Sequence, residues 1–166
     1  MVGSFLDSTC LFAPVVNDLC LYLDHVTDDD LAISIRSALE NCIQQPCMQH
    51  DLVRYWFCWY IARHIVRFQS PILRSFVYDS GWLELAAVAA VQERNLPWIR
   101  SRKTSVFDHS PRQRRAIMLA GQILPEDERD AWLKNVASNS TTKMDAWTAR
   151  WVIWLAKQRE SAAALF

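Results

Sequence analysis

The chain has 166 residues, 51% of them hydrophobic, and carries 18 basic and 18 acidic residues, so its formal net charge is zero. This length and apolar content fit one domain with a sizeable core, and we predict a single domain over residues 1–166. Five cysteines, the last of them Cys58, form no even framework, which excludes a disulfide-stapled secreted scaffold and predicts reduced thiols in a cytoplasm.

The N-terminus has no basic region ahead of its first apolar run, so we expect no export signal. The most apolar stretch, residues 52–68, is interrupted by basic side chains at Arg54, Arg63, His64 and Arg67. A bilayer core tolerates such charges badly, so this stretch predicts a buried helix of a cytoplasmic protein and not a membrane span.

Apolar periodicity and capping residues predict helices, and strand and hairpin signals are missing from a chain with three glycines. The predicted helices lie near residues 14–25, 28–44, 50–68, 71–79, 82–93, 111–123, 126–137 and 143–158. Caps support several starts: Thr27 precedes three aspartates, Ser70 and Ser110 each precede a proline, and Pro125 precedes an acidic first turn. Residues 94–110 and 138–142 are predicted loops.

The two Ser-Pro starts stand 40 residues apart, at Ser70 and Ser110. This spacing lies within the period of HEAT-type repeats, in which paired helices stack to bury their apolar faces. We therefore predict an all-α fold, either a HEAT-like right-handed stack of about eight helices or an irregular α-bundle.

Charge is distributed unevenly along the chain. Residues 1–50 carry seven acids against Arg36, a net charge of minus six, and residues 51–115 carry eleven Arg or Lys against five acids, a net charge of plus six. The acidic N-terminal helices and the basic, Trp-rich remainder could pair within the chain, or the basic part could bind an anionic partner.

The predicted loop and the helix that follows it concentrate basic residues with aromatic rings between them. Guanidinium groups that bind phosphate and rings that stack on bases are what a single-stranded RNA or DNA surface requires. Arginine is also enriched at protein interfaces and in buried ion pairs, so both interpretations stay open. The candidate nucleic-acid residues are Arg94, Trp98, Arg100, Arg102, Lys103, Arg112, Arg114 and Arg115.

Arg102 and His109 are separated by six residues. This pair resembles the arginine–histidine motif of HEPN-type ribonucleases, which are all-α proteins that cleave RNA as dimers. The resemblance implies that His109 acts as general acid or base on the 2′-hydroxyl and that Arg102 stabilises the phosphorane charge. His109 directly precedes the Ser110 cap, outside any predicted helix, so a solvated loop is the alternative.

Cys42, Cys47 and His50 are residue types that zinc prefers, but a structural site needs four ligands at shorter spacing, so we predict no metal. Nucleophile elbows, phosphate-binding glycine loops and dinucleotide fingerprints are missing from the sequence, which predicts no cofactor and favours a non-catalytic protein.

Eight tryptophans occur, and their placement is informative. Met144, Trp147, Trp151 and Trp154 follow spacings of three, four and three, which places them in one stripe on the last helix. The stripe is either part of the core or an exposed surface that binds a protein partner.

The run from Ser110 to Leu133 (SPRQRRAIMLAGQILPEDERDAWL) and the earlier SPILR at residues 70–74 resemble the helical-repeat tails of bacterial defence-associated, abortive-infection-type reverse transcriptases. The resemblance covers residues 50–158 and does not include the polymerase. It implies an α-solenoid that acts as an accessory module in antiviral defence, packs against a polymerase or effector, and cradles nucleic acid along its basic face.

The leading hypothesis is a non-catalytic interaction module that binds a protein partner, with RNA or DNA as a further ligand. A HEPN-like, metal-independent ribonuclease and a structural domain that forms homo-oligomers are the alternatives.

Overall fold

In the computed structural model, which describes residues 29–44 and 46–163, every regular element is a helix. The α-helices are α1 (Asp29–Cys42), α2 (Asp51–Phe68), α3 (Pro71–Tyr78), α4 (Leu83–Gln92), α5 (Leu96–Lys103), α6 (Pro111–Ala120), α7 (Glu126–Asn139) and α8 (Lys143–Ala163). Short 3-10 helices span Pro46–Gln49, Val106–Asp108 and Gly121–Ile123. The all-α prediction is confirmed, and the choice between a stack and a bundle stays a prediction.

The predicted helix starts at the Ser-Pro pairs are confirmed at atomic detail. Ser70 Oγ accepts a hydrogen bond from the Leu73 amide at 3.2 Å. Ser110 Oγ accepts from the Gln113 amide at 3.5 Å, and the Gln113 side chain accepts from the Ser110 amide at 3.1 Å, which closes a capping box. The predicted helix at residues 14–25 and the predicted cap at Thr27 lie outside the described residues.

The predicted loop at residues 94–110 is wrong, because this segment contains α5 and a 3-10 helix. Asn95 Oδ1 caps α5 by accepting from the Trp98 amide at 3.2 Å, and Pro97 stands in the first turn. Ile99 alone of this helix is fully buried. One buried residue produces no apolar period, so periodicity could not detect the helix.

Contacts divide the chain into two compact units, Met1–Gln92 and Glu93–Phe166, which we call the N-terminal and C-terminal units. The boundary after Gln92 differs from the predicted change of character at residue 50, and the single-domain organisation stays a prediction. None of the described helices combines the length and apolar character needed to cross a bilayer.

The N-terminal unit is built around α2, whose side chains at Phe57, Tyr60 and Ile61 are almost fully buried. Leu73 and Val77 of α3 complete this core. The helix predicted near residues 50–68 is present as α2, and it is kinked at His64, which has φ −112° and ψ 15°.

The C-terminal unit packs α8 against both α6 and α7. Its core contains Ile117 and Met118 of α6, Leu133 of α7, and Val152 of α8, each at most 1% exposed. Gly121 is required at the turn after α6, because a Cβ there would overlap the Trp132 ring. The inner faces of three helices therefore meet in one core, and the outer face of α8 does not take part in it.

Candidate interaction surfaces on the C-terminal unit

α8 has two faces of different composition. The inner face consists of small or polar residues that are buried, among them Asp145, Ala149, Val152 and Ala156. The outer face carries the stripe predicted from sequence, and its four side chains are exposed: Met144 at 55%, Trp147 at 58%, Trp151 at 37% and Trp154 at 56%. The alternative that this stripe belongs to the core is wrong.

We call Met144, Trp147, Trp151 and Trp154 the Trp stripe. At about 150–250 Å² for each aromatic side chain, the exposed fractions amount to roughly 400 Å² of apolar surface. The Trp147 and Trp151 rings stack on each other, with centroids 5.9 Å apart and planes inclined by 7°. The stacking restricts the rotamers of both rings, which would lower the entropy lost if a partner bound there.

Cations lie along one edge of the Trp stripe. Lys143 directly precedes Met144, and Arg150, seven residues later, directly precedes Trp151, so both occupy the same edge of α8. Both are exposed, and neither forms an ion pair with any residue that the structure describes. Lys157 continues the series after another seven residues and pairs with Asp130 at 3.3 Å. Sequence reasoning missed this edge, although its seven-residue spacing is visible in the sequence.

The two carboxylates of α8 form ion pairs with arginines of the C-terminal unit. Asp145 is 1% exposed and accepts from Arg114 of α6. Glu160 accepts from Arg129 of α7 at 2.8 Å. The basic edge of the Trp stripe is therefore not neutralised by the acids of its own helix.

The candidate nucleic-acid residues do not form one free basic surface. Arg100 donates to both Glu128 carboxylate oxygens, from Nε to Oε1 at 3.1 Å and from Nη2 to Oε2 at 2.8 Å, and Lys103 donates to the same carboxylate at 2.5 Å. These hydrogen bonds, first from Arg100 and then from Lys103, lower the pKa of Glu128 to about 2. Two of the predicted cations are thus paired with an ionised carboxylate at neutral pH.

Arg114 is a structural residue in this fold. Its Nε and Nη2 lie 2.8 and 2.7 Å from one oxygen of the buried Asp145 carboxylate, and its Nη1 donates to the His109 carbonyl at 2.8 Å. Only 14% of its side chain is exposed. It ties α6 to α8 and presents little of its charge to a ligand.

The other predicted residues remain at the surface to different degrees. Arg102 lies over the Trp98 ring, with its Cζ 5.8 Å from the ring centroid. Arg94 and Arg112 are exposed and Arg115 is half-buried. The structure therefore leaves a smaller basic surface than the sequence predicted.

The Arg102–His109 pair has geometry that gives the ribonuclease alternative no support. The guanidinium of Arg102 is positioned by Trp98, and His109 follows the 3-10 helix Val106–Asp108. His109 Nε2 is buried and has no hydrogen-bond partner, and the backbone carbonyl of this residue is engaged by Arg114. A general acid or base must reach its substrate, and the Nε2 atom of His109 does not do so in this arrangement, so the ribonuclease alternative stays a prediction.

The N-terminal unit contains a buried thiol at Cys58. Burial raises the pKa of the Cys58 thiol to about 11, so it is protonated at neutral pH and is no nucleophile. Within the described ranges, no three His, Cys, Asp or Glu side chains are grouped to hold a metal ion. The Cys47 side chain lies outside the described residues.

A cleft of about 570 Å³ lies beside Met48, Ile72 and Phe76 of the N-terminal unit. Arg54 lines this cleft and donates a hydrogen bond to the Ser80 carbonyl at 2.8 Å.

If the basic residues of this unit bind nucleic acid, Glu128→Gln is expected to strengthen that binding. The substitution removes the charge that neutralises Arg100 and Lys103, so both become available to phosphates, and the dependence of log K on log salt steepens by up to about two. Binding of labelled single-stranded DNA across a salt series measures the change. Glu126→Gln is the matched control, because it removes the same charge from the first turn of the same helix. Glu126 forms no ion pair with a described residue, so its removal frees no cation. Equal binding by the two variants would contradict the prediction.

Comparison of the chain with models of known protein families, with curated proteins and with solved structures gave no match.

Proposed function

We propose that this chain is a non-catalytic α-helical interaction module that binds a protein partner through the Trp stripe of α8. The observation that carries the proposal is the exposure of all four stripe residues on a helix whose opposite face is fully packed. The largest contiguous apolar patch on a typical monomeric protein measures about 300–600 Å² and is often functional, and the Trp stripe has an area within this range. Tryptophans are also the side chains that most often dominate binding energy at interfaces.

The biological setting that we propose is an accessory role in a prokaryotic antiviral defence system. Its support is the resemblance of residues 50–158 to the helical tails of defence-associated reverse transcriptases. In such a setting the partner would be a polymerase or effector protein, and nucleic acid would be a secondary ligand of the remaining exposed arginines.

The proposal is tested with a displayed library of amphipathic helical peptides, selected on the immobilised full chain. We expect the wild type to enrich a set of peptides and Trp147→Gln/Trp151→Gln to bind them at least about 30-fold more weakly, the effect of losing one strong interfacial residue. The variant should unfold at a urea concentration close to that of the wild type, because neither ring belongs to the buried core.

Leu52→Gln/Val66→Gln is the matched control. It removes two apolar side chains that are exposed to a similar extent, 57% and 51%, on α2 of the N-terminal unit. Peptides that bind the wild type and the Trp variant equally would show that the Trp stripe is not the binding surface.

A further inference from the structure

We propose that the occupant of the Trp stripe is an acidic amphipathic helix of the partner protein; this inference rests on the proposed function. The spacing of the stripe is the first observation. Met144, Trp147, Trp151 and Trp154 repeat at three, four and three residues, the arrangement of an a/d seam that packs a second helix. Such a seam receives the i, i+3, i+4 and i+7 anchors of a helix, whereas an extended peptide presents its side chains at a period of two.

The positive charge at the edge of the Trp stripe favours a bound helix that carries negative charge. Lys143 and Arg150 flank the seam at positions that correspond to g in the heptad, where interhelical ion pairs form. Both are exposed without an anionic partner among the described residues. A helix with glutamate or aspartate opposite this edge would neutralise them, and a helix with lysine there would be repelled.

A second copy of the chain does not supply the missing anions. In an antiparallel pair the cationic edge would face itself. In a parallel pair it would face the e-type edge of α8, which carries Thr148 and Leu155 and no charge. Neither arrangement satisfies Lys143 and Arg150, so the charge pattern disfavours self-association through this surface.

Single-stranded nucleic acid also offers anions, but the rings are arranged unfavourably for it. The Trp147 and Trp151 rings are parallel to within 7° and offset, with centroids 5.9 Å apart, so each covers part of one face of the other. Base recognition by stacking uses open ring faces, and in this pair only the outer faces are fully open. Apolar side chains of a helix can pack on the exposed edges as well as on these outer faces.

The test uses the same helical library on the full chain, with glutamate or lysine allowed at each position that flanks the apolar seam. We expect the wild type to enrich glutamate at these positions. Lys143→Glu/Arg150→Glu should bind the selected acidic peptide at least about tenfold more weakly and should itself enrich lysine. Lys134→Glu is the matched control, because Lys134 is an exposed cation of α7 outside this edge, and we expect it to behave as the wild type.

The remaining outcomes separate this inference from the proposed function. Trp-dependent enrichment without charge preference, or without a change on charge reversal, would overturn the acidic helix and leave the protein-binding function. Enrichment that does not depend on Trp147 and Trp151 would overturn both. A Trp-dependent dimer in sedimentation, or labelled oligouridine that binds through Arg150 more tightly than any selected peptide, would replace the acidic helix with a second copy or with RNA.

Discussion

Asp145→Ala is expected to lower the free energy of unfolding of the C-terminal unit by about 3–5 kcal/mol, the usual effect of removing one partner of a buried ion pair. The Asp145 side chain is 1% exposed and lies 2.7 Å from Arg114 Nη2. Without the carboxylate, the guanidinium is left largely buried with an uncompensated charge. Urea unfolding followed by circular dichroism measures the loss as a lower midpoint.

Arg114→Met/Asp145→Leu provides the control, because it removes both charges and replaces them with apolar volume. We expect the double variant to regain most of the lost stability, since a buried pair and an apolar replacement are often of similar stability. A loss below about 1 kcal/mol for Asp145→Ala would show that the pair behaves as a solvent-exposed one.

The Arg114–Asp145 ion pair makes Arg114 an unsuitable position for testing nucleic-acid binding. A substitution of Arg114 would destabilise the unit, so a loss of binding in that variant would not identify a phosphate contact. Arg115 is the better position, because it forms no ion pair with a buried carboxylate of the described chain. Its removal should weaken binding and reduce its salt dependence without unfolding the protein.

Helix starts could be predicted from sequence where the signal is local. Ser70 and Ser110 cap helices through hydrogen bonds to residues three positions later, which a single sequence displays. α5 has no apolar period, because Ile99 is its one buried residue. Its start is marked only by local chemistry, the Asn95 cap and Pro97, and asparagine and proline are equally common in loops.

The position of the Trp stripe could be predicted, but its exposure could not. A spacing of three and four residues marks one face of a helix, whether that face meets the core or solvent. The answer depends on Ala149, Val152 and Ala156, small side chains that let the opposite face of α8 pack closely against α6 and α7. These small side chains are less hydrophobic than the tryptophans, so the sequence pattern marks the Trp face as the more apolar face of α8.

Ion pairing of the basic residues could not be predicted for a different reason. Glu128 lies 28 residues from Arg100, and Asp145 lies 31 residues from Arg114. Tertiary packing alone brings these carboxylates to their partners. A linear count of charges over residues 94–115 therefore overestimates the cations available to a nucleic acid.

Arg129→Met is the second substitution with a large expected effect, a loss of about 3–5 kcal/mol at neutral pH. Arg129 is 1% exposed, and its Nε donates to Asp130 at 3.0 Å while its Nη1 donates to Glu160 at 2.8 Å. Asp130 is 7% exposed and would keep only its longer contact with Lys157. Urea unfolding at neutral pH measures the loss, and Arg129→Met/Asp130→Ala is expected to recover much of it.

The loss on Arg129→Met should shrink as the pH falls. Burial by itself would raise the pKa of Asp130, but hydrogen bonds from Arg129 and Lys157 outweigh it and hold this pKa below the ordinary 3.8. In the wild type the carboxylate therefore contributes stability above about pH 4, and this contribution is lost as the pH falls through the lowered pKa. Without Arg129 the burial effect dominates and the pKa rises, so the variant takes up a proton at higher pH than the wild type does. The two unfolding free energies should converge below about pH 4, and a difference that stays constant would show that Arg129 acts through its packing volume and not through its charge.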